Sequence, residues 1–235
     1  MGCKMLVRPQ EEVGRSVALG EFETDDLQHF MTAIGRTDVV FDIGANIGAY
    51  CVPIGRSRPD AQVHAFEPID LNGSLIQVSL HLNRLQNVQL VRKCVSDSAG
   101  RVEFSLAEDR AYSSMIDTGR KAELRRFMCD TVPLDQYCEE QGGIRPDIVK
   151  IDVEGAELKV LQGATQLFAD PSRRPKLVLI ELYDQNLTAF GTSIDEVTAW
   201  MTGRGYDSYV LIERAPVPFA PEHYNEIYNV FFAPR

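Results

Sequence analysis

Short apolar runs alternate along the chain with longer segments whose apolar residues recur every three or four positions. Val39 to Ile43 is apolar throughout except for Asp42, the pattern of a strand buried on both faces. Val63 to Phe66, Val88 to Val91, Ile148 to Ile151 and Leu177 to Leu182 repeat it, and Ser208 to Ile212 and Asn229 to Ala233 form a closely spaced pair near the C-terminus. The segments between read as helices. Leu71, Leu75, Val78, Leu82 and Leu85 step by four and three, which predicts an inward stripe. Leu158, Leu161, Ala164 and Phe168 predict a second stripe, stopped by Asp170-Pro171. Ser193-Ile194-Asp195-Glu196 is a capping box opening a third helix, with Val197, Trp200 and Met201 inward and Gly203 or Gly205 at its end. An earlier helix is expected from Thr24 to Ile34, capped by Thr24 or Asp25. Strand and helix in alternation is the signature of an α/β fold.

Residues 100 to 140 break the rhythm. Arg101 to Leu106 alternates as an exposed strand does, and Gly119 to Phe127 is polar with helical character. An insertion between the third and fourth buried strands is a natural place for substrate contacts. With no repeat or linker, the chain reads as a single domain over 1–235, with a helical cap segment at 1–36 and the 100–140 insertion near the substrate.

Composition narrows the partners. Lys and Arg number 24 against 34 acids, a net charge of −10. A nucleic-acid surface needs basic clusters to displace phosphate counterions, and the short groups Arg125-Arg126 and Arg173-Arg174 do not make one. No nucleic-acid or membrane partner is expected. The five cysteines include no C-x-x-C pair, so reduced thiols in a cytoplasmic protein are expected. The start Met1-Gly2-Cys3-Lys4-Met5-Leu6 has Leu where a myristoylation motif wants Ser or Thr. No apolar run approaches 18 residues and no signal-peptide core follows Lys4.

The chemistry is concentrated at the ends of the predicted strands. Asp42-Ile43-Gly44-Ala45-Asn46-Ile47-Gly48 runs from strand through a glycine-bearing loop to a helix start. Glycine lets backbone approach a ligand closely. A dinucleotide fold wants G-x-G-x-x-G here to seat a pyrophosphate. This chain has G-x-x-x-G with a carboxylate at the strand end, which suits a ligand with a cationic end. Glu67, in His64-Ala65-Phe66-Glu67-Pro68, follows the second strand at the spacing of an acid that accepts from a ribose diol. Ser96-Asp97 closes the third strand region, where Asp97 could accept from an adenine amino group or serve as a turn-former ahead of Gly100. Lys150-Ile151-Asp152-Val153-Glu154-Gly155-Ala156-Glu157 ends the fourth strand and opens a helix. With strand order 3-2-1-4-5 the order reverses between the first and fourth strands, and ligands bind at such a reversal. Asp42 to Gly48 and Asp152 to Glu154 would then face one crevice. For Glu157 the simpler reading is a complement to the helix dipole.

Together these stretches resemble the FkbM family of methyltransferases, over most of the chain. The match runs from Gly14-Arg15-Ser16 and Gly20-Glu21-Phe22-Glu23 through the Asp42–Tyr50 and Phe66-Glu67-Pro68 motifs. It continues through Leu82-Asn83-Arg84-Leu85-Gln86-Asn87-Val88 and Val95-Ser96-Asp97, then Lys150–Glu157 and Gly163-Ala164. The resemblance implies a class I Rossmann-like three-layer sandwich whose mostly parallel seven-stranded sheet has an antiparallel last strand. It implies S-adenosylmethionine as cofactor, held by Asp42, Gly44, Ala45, Asn46, Gly48, Glu67, Pro68, Ser96 and Asp97. It also implies O-methylation of a hydroxyl on a sugar, glycan or secondary metabolite. Asn72-Gly73-Ser74 departs from the family pattern and leaves the start of the following helix open.

Methyl transfer needs alignment and an outlet for the acceptor proton. Asp152 is the first candidate base, with Glu154 and Glu181 next. These three acids could instead hold a divalent metal through oxygen ligands, but no His or paired Asp accompanies them and the metal-free reading is preferred. His64 reads as a core residue, while His81 and His223 are weak candidates. An N-methyltransferase acting on an amine, a nicotinamide oxidoreductase and a non-catalytic scaffold of the same fold are the alternatives. The absent G-x-G-x-x-G argues against the oxidoreductase, and the intact motif argues against the scaffold.

Overall fold

The structure is a computed structural model that describes residues 2–107, 109, 113–115, 123–224 and 226–235. Its strands are β1 (Val39–Ile43), β2 (Gln62–Phe66), β3 (Val88–Val91), β4 (Cys94–Val95), β5 (Gly100–Ala107), β6 (Glu123–Val132), β7 (Ile148–Ile151), β8 (Leu177–Glu181), β9 (Tyr206–Ile212), β10 (Ala215–Pro218) and β11 (Asn229–Pro234). The helices are α1 (Glu12–Leu19), α2 (Thr24–Ala33), α3 (Cys51–Ser57), α4 (Asp70–Asn83), α5 (Leu134–Glu140), α6 (Glu157–Gln162), α7 (Thr165–Ala169), α8 (Asp184–Ala189) and α9 (Ile194–Thr202).

Eight strands form one sheet in the order β10-β9-β11-β8-β7-β1-β2-β3. The run from β8 to β3 is parallel, and β11 lies antiparallel between β8 and β9. This is the class I Rossmann-like arrangement, and the reversal of order falls between β1 and β7 as expected. The hairpin strand β10, at the edge beyond β9, extends the seven-stranded expectation by one.

Alternation along each strand feeds two cores. Phe41 and Ile43 of β1 join Val149 and Ile151 of β7 on the face covered by α5, α6, α7, α8 and α9. Val40 and Ile148 point to the opposite face, packing with α2, α3 and α4 through Phe30, Ile54 and Ile76. Both faces are dry, which is why these strands read as continuous apolar runs. Ser193 caps α9 as expected, its Oγ accepting from the Glu196 N–H at 3.2 Å, while the Glu196 carboxylate accepts from the Thr192 and Ser193 hydroxyls rather than closing the box on the Ser193 N–H.

Four expectations are corrected. The α4 stripe is turned around. Leu71, Val78 and Leu82 are exposed, while Asn72, Leu75, Ile76, Ser79 and Leu80 face inward. The helix expected over Leu158 to Phe168 is two, α6 and α7, broken at Gly163. A Cβ on Gly163 would lie 2.1 Å from the Ser96 carbonyl oxygen, so this stretch is set by contact with the chain after β4. Neither Thr24 nor Asp25 caps α2; the cap position is Glu23, in the left-handed region at φ 38°. Residues 123–127, expected helical, belong to β6, which pairs with β5 in a second, three-stranded sheet of order β4-β6-β5. Residues 119–122 of that expectation lie outside the described residues.

Candidate active site

Three parallel strands end side by side and deliver the site. After β1 the chain turns at Gly44 (φ 79°), whose N–H and that of Ala45 both donate to the Phe66 carbonyl of β2, at 3.0 and 2.9 Å. Asn46 follows in the left-handed region (φ 51°). This fold-back presents the Asn46 N–H to Glu67 Oε2 at 2.9 Å, while the Ile69 N–H donates to Glu67 Oε1 at 2.8 Å. The Glu67 carboxyl is thus fixed by two backbone donors. Burial nevertheless pushes it up to about 8, against those two hydrogen bonds. Asn72 of α4 completes the cluster: its Nδ2 donates to Asn46 Oδ1 at 3.4 Å, and its buried Oδ1 has no partner among the described residues. The departure at Asn72-Gly73-Ser74 is therefore a continuous part of α4 that contributes a site residue.

Glu67, Pro68, Ile69, Asn72, Phe66, Val95, Phe104 and Met115 line a cavity of about 60 Å³ that is mostly apolar, with Lys93 and Cys94 also in its wall. Gly44, Asn46, Asp152 and Glu154 line it too, and the same four residues line a second compartment of about 290 Å³. That compartment is acidic. Glu12, Glu21, Glu23, Asp42, Asp152, Glu154 and Glu181 line it, with Lys150 as its cation.

Lys150 and Asp42 are register partners across β7 and β1. Lys150 is 4% exposed, lies 5.1 Å from the centre of the Tyr50 ring and pairs with Asp152 Oδ2 at 2.8 Å. Burial disfavours its charge, but Asp152, Asp42 and Glu23 together outweigh that and hold the ammonium above its ordinary range. Glu23 arrives from the start of α2 and accepts from the Tyr50 hydroxyl at 2.7 Å. Its helix-capping position is thus spent on the site. Asp42 accepts from the Cys51 N–H at 3.0 Å through Oδ2, while Oδ1 is buried with no partner among the described residues.

The β7–α6 turn is held as firmly as the first loop. Glu154 sits at φ 56° and accepts from Asn186 Nδ2 at 2.6 Å. Glu157 Oε1 accepts from the Val153 and Gly155 N–H groups, both at 3.1 Å. Glu157 is thus a buried brace for the turn, not only a charge at a helix end. Asp152, Glu154 and Glu181 each offer an oxygen within 4.8 Å of the others. Burial first, and then the neighbouring Asp152 and Glu154 carboxylates, raise Glu181 well above the ordinary carboxylate range.

The expected residues do not all converge. Asp42, Gly44, Ala45, Asn46, Glu67, Pro68, Asp152, Glu154 and Glu181 line one or both compartments. Gly48 lies behind the loop at φ 89°, where a Cβ would meet Val52 at 2.9 Å, so its part is to seat α3. Ser96 and Asp97 line a separate concavity. Asp97 is bound there by Lys159 at 3.1 Å, with Ser96 and Ser98 donating to it. His64 is a core residue bonded to the Tyr137 hydroxyl at 2.7 Å. His81 is exposed and His223 Nδ1 accepts from the Ala220 N–H, so neither reaches the compartments. Sequence reading missed Glu23, Tyr50, Asn72 and Lys150. Lys150 stood out as a lone cation inside a run predicted to be a buried strand, and Asn72 as part of the departure from the family pattern.

The chain matches the FkbM methyltransferase domain over residues 42–208. Methyltransferase sdnD of Sordaria araneosa is 25% identical, covering 80% of this chain and 79% of that protein. The 31-O-demethyl-FK506 methyltransferase FkbM of Streptomyces tacrolimicus is 28% identical, covering 77% and 76%. In fold, the chain is similar to precorrin-6y C5,15-methyltransferase of Geobacter metallireducens, with a TM-score of 0.53 at 10% identity, covering 98% of this chain and 94% of that one.

Proposed function

The chain belongs to the FkbM methyltransferase family, and from that premise we propose that it moves a methyl group from S-adenosylmethionine to a hydroxyl of a small-molecule or glycan acceptor. One observation carries the reading: the Gly44–Asn46 loop and the Asp152–Glu154 turn lie together, between an apolar compartment and an acidic one. The donor has the same two-part character, an adenosine at one end and cationic groups at the other.

The residues suit that donor. Glu67 and Asn72 would face the ribose, with Ile69, Val95 and Phe104 as apolar walls for the base. The unpartnered Asp42 Oδ1 is an acceptor waiting for a cationic donor. When bound, S-adenosylmethionine supplies an electrophilic methyl on a sulfonium with a neutral thioether leaving group. The chain's share is then to orient the acceptor oxygen and receive its proton. Asp152, held by Lys150, is the group assigned to take it. Burial and the neighbouring acids raise Glu181, which favours its protonated form and suits it to donating a hydrogen bond to the acceptor. Lys150 already occupies Asp152 Oδ2, which supports a metal-free site over one in which the three acids hold a divalent ion. The O-acceptor reading is supported by the relative named for 31-O-demethyl-FK506, and the 100–140 insertion meets the site through Phe104, Ser113 and Met115.

Calorimetry should show binding of S-adenosylmethionine and none of NAD. Asp152→Asn should lower turnover by roughly 10² to 10⁴ with donor affinity nearly kept, and EDTA should leave the wild-type rate unchanged. Normal turnover in Asp152→Asn removes the residue from the reaction. Loss of activity in EDTA, restored by Mg²⁺, replaces the metal-free reading.

A further inference from the structure

Two of the five cysteines, 35 positions apart in sequence, meet in the second sheet. Cys94 in β4 and Cys129 in β6 place their sulfurs 2.8 Å apart, with the Cys94 S–H donating to Cys129 Sγ. The strands run parallel with Cys94 opposite Thr131, so Cys129 is the diagonal neighbour on the same face. Both side chains are buried, in a cluster with Ile69, Phe104 and Leu106. Cys94 also lines the cavity beside Glu67. A disulfide needs its sulfurs about 2.05 Å apart, so bond formation here asks for less than about 1 Å of approach. The other three, Cys3, Cys51 and Cys138, are free thiols elsewhere in the fold.

We propose that Cys94 and Cys129 form an oxidisable dithiol, closed to an intramolecular disulfide by a low-molecular-weight disulfide such as oxidised glutathione, and that a ligand in the adjoining compartment slows this closure. Cys129 is the attacking sulfur. It accepts the Cys94 S–H, and a hydrogen bond received at sulfur favours the thiolate. The Cys129 thiolate attacks one sulfur of oxidised glutathione and releases one glutathione. The Cys94 sulfur, losing its proton, then attacks Cys129 Sγ in the mixed disulfide and releases the second. Two protein thiols are oxidised, one glutathione disulfide is reduced to two thiols, and both cysteine protons leave with them. Cys94 forms part of the cavity wall, so a nucleoside seated against it restrains the movement that closure requires.

The coupling to ligand rests on the donor-site assignment above, and the pairing of the cysteines does not. The test incubates the full chain with oxidised glutathione, blocks free thiols and maps the peptides by mass spectrometry. A Cys94–Cys129 cross-link is expected, opened by dithiothreitol. Cys94→Ser should stop at a glutathione adduct on Cys129, and Cys129→Ser should give no cross-link; circular dichroism checks that both variants fold. S-adenosylhomocysteine at ten times its dissociation constant, fixed by calorimetry, should slow cross-linking about tenfold if only the empty site closes. Both thiols remaining alkylatable at equilibrium overturns the dithiol. Cross-linking at an unchanged rate with S-adenosylhomocysteine demonstrably bound overturns the coupling. Absence of S-adenosylhomocysteine binding overturns the donor-site assignment alone.

Discussion

Gly44 has no room for a side chain. It sits at φ 79°, and a Cβ there would fall 1.7 Å from the Asp152 carbonyl oxygen. The contact joins the β1 loop to the β7 turn, so the shared wall of both compartments depends on it. Gly44→Ala should cost at least about 2 kcal/mol, combining left-handed strain with displaced backbone. A urea titration checks this, with wild-type stability as the outcome that removes the claim. Glu67 makes a subtler demand. It is buried, and its carboxyl is pushed up to about 8. A ribose diol donates hydrogen bonds and so favours the ionised form. Donor binding below pH 8 must therefore expel the Glu67 proton, and affinity should tighten from pH 6.5 to about 8 and then level off. Glu67→Gln should weaken binding roughly ten- to hundredfold, the worth of a lost charge-assisted contact, and abolish this pH dependence. Calorimetry across pH decides it; a flat wild-type profile would falsify the protonated resting state.

Elements carry the parts of the site that pattern reading could and could not reach. The buried strands were legible because both their faces are dry, and the ends of β1, β2 and β7 followed as places for Asp42, Glu67 and Asp152. Helix α4 was misread because apolar spacing is blind to which polar residues are needed inside. Asn72 turns inward to the Glu67 cluster, and Ser79 Oγ accepts from the Leu6 N–H of the N-terminal segment at 3.0 Å. Those two contacts rotate the helix and leave Leu71, Val78 and Leu82 outside. Glu23 was illegible for a related reason, since its partner Tyr50 is 27 residues away. The β5–β6 hairpin bears directly on ligand entry. The cavity beside Glu67 is about 60 Å³, and Phe104 of β5 and Met115 form part of its wall. A nucleoside seated there would rest against this wall. Amide exchange in β5 and β6 should change when S-adenosylhomocysteine binds, while β9 and β10 at the far edge of the sheet stay constant. An unchanged hairpin would mean that the base lies elsewhere.

At the scale of the whole molecule, acids dominate both the surface and the site, and the buried ones set the response to pH. Burial raises Glu67 to about 8 and Glu157 to about 7, and raises Glu23, Asp42 and Glu181 in the same direction. An unfolded glutamate releases its proton near 4.5. Between that value and the folded one, the folded chain holds protons that the unfolded chain has lost. Stability therefore falls as pH rises through this window. Glu67 contributes from about pH 4.5 to 8 and Glu157 from about 4.5 to 7. Lys150 is raised and adds no slope here, because it is charged in both states well below 10.5. The net charge of −10 works in the same direction by self-repulsion at higher pH. His29 and His64 are lowered by burial and oppose this trend below about pH 6.5, but the five raised acids outnumber them, so the ligand-free protein should be most stable on the acidic side and lose stability from pH 5 to 8. Glu67→Gln and Glu157→Gln should each remove one proton from that slope, roughly 1.4 kcal/mol per pH unit. The Glu157→Gln amide keeps the single oxygen that both backbone donors use, whereas Glu67 takes its two donors on separate oxygens and its amide keeps one of them. A bound donor stabilises the ionised Glu67, so saturating S-adenosylhomocysteine should flatten the wild-type curve and leave the Glu67→Gln curve unmoved in slope. Chemical denaturation at pH 5, 6.5 and 8, with and without ligand, measures all of these. Stability that climbs between pH 5 and 7 without ligand would show that the site acids are ionised when empty, and that the acidic compartment is balanced by something other than retained protons.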